Sequence, residues 1–185
     1  MSKKKSSEDH AIRELGEFLA ILESRIAALA DTAEVLERHG EHPPRFADYS
    51  RTRTLTSECL AFSIVIERRV EMVPEDRRAK AKDRFDRATI AIWSTLLDCS
   101  LKFLRAIAEE EHLPLGSREV FLHEIKTLYD AYNTLTLDRY ANKVEEETLK
   151  KRAAAERILN EIIDRAPMLL DLGSQASGLD KNKRT

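Results

Sequence analysis

Ile12, Leu15, Leu19, Leu22, Ile26, Leu29, Ala33 and Leu36 follow one another at steps of 3, 4, 3, 4, 3, 4 and 3. An apolar seam with that spacing, kept for more than three heptads, is the mark of a long amphipathic helix. Phe18, Ile21 and Ala30 widen the stripe beyond a strict coiled-coil seam. That width favours a helix packed in a bundle over a free two-stranded zipper.

The same pattern recurs downstream. Gly40 and Pro43-Pro44 stop the first helix. A second helix is predicted from about Asp48 to Met72 and Val73, with Leu55, Cys59, Phe62, Ile66 and Val70 on its apolar face. Pro74, Glu75 and Asp76 open a third, because proline suits the first turn and acids favour the helix dipole. Its face is Phe85, Ala88, Ile92, Leu96, Cys99, Phe103 and Ala106, widened by Trp93, Leu97 and Leu104. This helix is therefore predicted to be the centre of the core. Leu113 to Gly116 breaks the chain and Ser117 caps a fourth helix carrying Phe121, Ile125, Leu128, Tyr132 and Leu135. Thr134 to Asp138 reads equally as a turn or a continuation. A last helix is predicted from about 139 to 165, with Pro167 and Gly173 as end signals.

The expected fold is all-α: an elongated antiparallel bundle of four to five long amphipathic helices joined by short connections. Residues 8–172 form its single domain, flanked by a disordered basic tail over 1–7, with Ser6 or Ser7 as the first cap, and a disordered polar tail over 173–185. A first helix of about 30 residues spans roughly 45 Å. An elongated bundle has a thin core, and its apolar flanks gain by burial against a second copy, so a homo-oligomer is expected.

Composition narrows the function. Charged residues make up 35% of the chain, yet 31 basic residues face 33 acidic ones. That balance supplies no global field for nucleic acid or an anionic surface. The basic stretch from Arg45 to Arg87 is interleaved with acids and reads as a salt-bridged, solvated face. No segment approaches the roughly 20 apolar residues of a membrane helix. Cys59 and Cys99 lie within apolar helical patterns without CxxC spacing and read as buried thiols, which fits a reducing, cytoplasmic setting.

Candidate chemistry is sparse. Glu37, His39, Glu41 and His42 form a small ligand-rich group where the first helix stops, with His39 and His42 as the metal candidates. Their plainer reading is a histidine at the helix dipole and polar loop residues, so no metal and no cofactor are expected. The runs Glu109 to Glu111 and Glu145 to Glu147 read as solvated faces; the first, at a helix C-terminus, also offers a docking surface to a basic partner.

His123 stands in the run His123-Glu124-Ile125-Lys126-Thr127. This run resembles the H-box of histidine kinases, where a phospho-accepting His on an exposed bundle helix is followed by an acid, an aliphatic, a basic residue and Thr or Asn. The resemblance implies His123 as acceptor, Glu124 as proton acceptor and Thr127 as a residue that positions water. Leu128 stands where that family has proline, and the five glycines form no G-x-G nucleotide loop. The resemblance therefore points to a stand-alone phosphotransfer protein, not an autokinase. Helical spacing puts His123 on one face with Thr127, Asp130 and Thr134, facing solvent. The first expectation remains a non-enzymatic interaction, adaptor or assembly protein, with no catalytic residue; phosphotransfer at His123 is the alternative.

Overall fold

A computed structural model describes the backbone of residues 2–38, 46–109 and 117–176, and the side chains of residues 10–35, 47–105 and 119–161. The elements are α1 (Ser2–Arg38), α2 (Phe46–Met72), α3 (Glu75–Glu109), α4 (Ser117–Thr136), the single turn α5 (Asp138–Ala141) and α6 (Glu146–Ala176), with no strand among the described residues. The fold is an all-α bundle. No described helix is long and apolar enough to cross a membrane.

Each seam read from the sequence supplies a buried face. Leu15, Leu19, Leu22, Leu29 and Ala33 of α1 are buried, and Ile12 and Ile26 are half-buried. The leucines and isoleucines pack against Cys59, Ile66 and Val70 of α2 and Phe85, Ala88, Ile92 and Leu96 of α3, and Ala33 packs with Tyr49 and Cys99. Each fully buried leucine contributes about 1.5–3 kcal/mol relative to exposure. Ion pairs Arg69–Glu14 at 2.8 Å and Arg25–Glu58 fix α1 and α2 as antiparallel. Arg84, bonded to Glu23 at 2.8 and 3.0 Å, ties α3 alongside α1.

The third helix is the centre of the molecule because it is apolar on two sides. Leu97 and Leu104 lie about 120–140° round the helix from Ile92. They pack with Leu128, Ala131 and Leu135 of α4 and Ala155 and Leu159 of α6. So α3 meets α1 and α2 on one side and α4 and α6 on the other. Trp93, half-buried, touches both clusters.

Local chemistry ends α2 where the sequence predicts. Pro74 has no N–H with which to extend the helical ladder, and Arg78 reaches back to the carbonyls of Val73 at 3.0 Å and Glu71 at 2.7 Å. Those are carbonyls a helix terminus leaves unpaired.

Three boundaries differ from expectation. The first helix opens at Ser2, ahead of Ser6 and Ser7. Between residues 134 and 138 the helix breaks at Leu137 alone: α4 ends at Thr136, Leu137 adopts φ −58° and ψ 137°, α5 opens at Asp138, and α6 begins at Glu146 instead of 139. The reason is tertiary. Tyr140 is buried in α5, and Arg139 and Lys143 both bond Asp86 of α3, so this connection is pulled onto the core. The last helix also runs past Pro167 to Ala176; an interior proline removes one backbone hydrogen bond and kinks a helix without always ending it.

Candidate functional site

The residues around His123 come from three helices. Tyr49 and Arg53 lie one turn apart on α2, Cys99 and Ser100 lie on α3, and His123, Glu124 and Thr127 lie on α4. Their spacing on α4 decides their fates. Glu124 is one turn before Leu128, on the core face, and is fully buried. His123, one residue earlier, turns about 100° away and is exposed.

Glu124 is bound on both oxygens. The Tyr49 hydroxyl donates to Oε1, the Ser100 hydroxyl donates to Oε2 at 2.7 Å, and Arg53 Nε lies 3.5 Å from Oε1. Burying a carboxylate is costly unless it is paired and hydrogen-bonded, and here it is both. The Tyr49 ring stacks on Phe103, with centroids 4.2 Å apart and planes 19° from parallel. Burial, then the neighbouring Glu124 carboxylate, pushes the Tyr49 hydroxyl well above its ordinary pKa. Burial, with Asp98 nearby, pushes the Cys99 thiol up to about 12. Cys99 is therefore protonated at neutral pH and is a packing residue, because only the thiolate is nucleophilic.

The Arg53 guanidinium also reaches outward. One terminal nitrogen contacts His123 Nε2 and donates to the Thr127 hydroxyl at 2.9 Å. Thr127 in turn donates to the His123 carbonyl at 2.9 Å. Arginine has only donors, so His123 Nε2 is the accepting atom in this contact.

His123 and Thr127, one turn apart on α4, are both contacted by an arginine from the basic stretch expected to be a salt-bridged, solvated face. Glu124 points to the core side of α4 and is committed to Tyr49 and Ser100. Thr127 is buried, at 8% exposure, although its spacing placed it on the solvent side with His123; the Arg53 side chain covers it. No local signal marks Arg53, which lies 70 residues from His123 in the chain.

His39, His42 and Glu41 lie outside the described residues, as do the side chains of Glu37 and Glu109 to Glu111. Among the described residues no group of three or more His, Cys, Asp and Glu side chains is placed to hold a metal. In the second acidic run, Glu146 and Glu147 pair with Lys150 and Lys151 at 3.1 and 2.9 Å, which is helix support. Elsewhere, an open cleft of about 740 Å³ lies between α3, α4 and α6, floored by Leu101, Leu104, Phe121 and Ile125. At its edge Asp98 pairs with Lys102 at 2.6 Å and Lys151 at 2.8 Å. Burial raises the Asp98 carboxyl, but the two ammonium groups outweigh it and hold the group below its ordinary pKa.

Fold and site together define an all-α bundle whose polar interior is cross-bonded among α2, α3 and α4. No protein-family model, curated protein or solved structure matches the chain.

Proposed function

We propose that this chain is a non-enzymatic helical interaction and assembly protein that self-associates through its helix faces. The observation that carries this reading is the distribution of exposed apolar side chains. Of the eight large exposed hydrophobics among the described residues, five lie on α1 and α2: Ile21, Val35, Ile64, Val65 and Met72. The antiparallel register set by Glu14–Arg69 and Arg25–Glu58 places Ile21 opposite Phe62, beside Val65. Apolar side chains left clustered on an outer helix surface mark an interaction site. The buried polar groups around Glu124 are hydrogen-bonded to one another, which suits a structural role. A reducing, cytoplasmic setting belongs to the same reading, supported by Cys59 and Cys99, both buried as free thiols. Light scattering at micromolar concentration is expected to give at least twice the mass of one chain; a single-chain mass would refute self-association.

A second reading, histidine phosphotransfer, is favoured by one observation. His123 is exposed and carries the Arg53 guanidinium, a group able to neutralise a phosphoryl anion. Glu124, buried and bonded to Tyr49 and Ser100, does not supply the acid–base partner that the sequence resemblance implies. Incubation with acetyl phosphate tests this reading. It requires an acid-labile label that His123→Ala abolishes, and the absence of label ends it.

A further inference from the structure

The second helix carries two rows of residues at heptad spacing, and only one is buried among the described residues. The inner seam, Cys59, Ile66 and Val70, is buried. The outer one is Arg51, Thr54, Glu58, Ala61, Val65, Arg68 and Met72, at steps of 3, 4, 3, 4, 3 and 4, and all seven residues are exposed. Ile64, at 56% exposure, adds to its apolar middle, where Val65 is 44% exposed; Met72 is 83% exposed. Ala61, Val65 and Met72 are its apolar members, and an exposed apolar stretch on an outer helix face is a surface that a second helix covers.

The charges on this seam select the occupant. A parallel second copy in register sets Arg51, Glu58 and Arg68 each against its own like charge, which is unfavourable. An antiparallel second copy, related by a two-fold axis at residue 63, sets Ala61 against Val65, Glu58 against Arg68 and Thr54 against Met72. Every one of these contacts then occurs twice, as a two-fold interface requires. They also fall in the alternating layers of an antiparallel coiled coil. The small Ala61 side chain at the centre lets the two helices approach closely. Arg68 is exposed and makes no ion pair with the described residues. Glu58 holds Arg25 through one oxygen and keeps 48% of its side chain exposed, so it can take a second cation.

We infer that the self-association proposed above is a two-fold homodimer in which α2 packs antiparallel on the α2 of a second copy, with Ala61 and Val65 at its centre and Arg68 paired to Glu58 across the axis. This inference rests on the reading of the chain as a self-associating protein and names the surface.

A charge exchange on the full chain tests it. Arg68→Glu alone and Glu58→Arg alone each put like charges across the axis, so each is expected to dissociate about tenfold or more readily than the parent. An equimolar mixture of the two variants restores both pairs, and its association is expected to return to near the parent value. Circular dichroism checks that each surface variant keeps its helices. A parent dimer unaffected by either variant, or weakened by both and not restored by mixing, overturns the α2 interface while leaving self-association standing. A monomeric parent overturns both, and leaves the outer seam to a different partner.

Discussion

Replacing Glu124 by alanine is expected to destabilise the fold by about 3–4 kcal/mol, a large share of a domain's usual 5–15 kcal/mol. The carboxylate accepts from Tyr49 and Ser100 and balances Arg53, whose side chain is 19% exposed. Removing it takes away the carboxylate that both buried hydroxyls donate to and the counter-charge of a mostly buried guanidinium. Glutamine retains one acceptor and the side-chain volume, so Glu124→Gln is expected to cost less, about 1–2 kcal/mol. Urea unfolding followed by circular dichroism reads both values. An alanine variant within about 1 kcal/mol of the parent would show that the network contributes little to stability. The result also separates roles, because a residue needed only for chemistry at His123 would leave the unfolding midpoint unchanged.

Arg139→Ala is expected to cost about 3 kcal/mol. Asp86 is buried on α3, and Arg139 bonds it through Nε at 2.7 Å while Lys143 bonds its other oxygen at 3.0 Å. Without the arginine, the buried carboxylate keeps only Lys143. The guanidinium also lies over the rings of Phe85 and Tyr140, with centroid distances of 5.8 and 5.3 Å. It reaches Glu67 of α2 at 3.4 Å as well, so one side chain joins α2, α3 and the turn before α6. The Asp86 and Asp83 carboxylates, bonded to Lys143, hold its ammonium above its ordinary pKa. The double variant Asp86→Ala, Arg139→Ala is expected to be no less stable than Arg139→Ala alone, since it removes the stranded charge. Additive losses in that cycle would mean that the two side chains act independently.

Helix order, helix faces and the central place of α3 were legible in the amino-acid sequence, because helical periodicity is a local property. Leu15, Leu19, Leu22 and Leu29, or Phe85, Ile92 and Leu96, have to face one way along a helix whatever surrounds it. Pro74 with its following acids marked an end in the same local way; Pro43-Pro44 lies outside the described residues. The break at Leu137 was not decided by its own residues. Thr134 and Thr136 bond backbone carbonyls of their own helix, which accords with continuation, and Leu137 leaves the helical conformation where Tyr140 and Arg139 dock on α3.

The site divides in the same manner. His123 read as exposed and is exposed, because its angle on α4 follows from the position of Leu128. Glu124 occupies the core face by the same arithmetic, yet its polarity and its place in the H-box-like run suggested chemistry. Its partners Tyr49 and Ser100 lie 75 and 24 residues away. The sequence by itself determined the helices and which of their faces are apolar. Tertiary structure alone decided that Glu124, Asp86 and Arg53 would be interior crosslinks, because the pairing of buried polar groups depends on which helices are neighbours and in what register, and no local period encodes either.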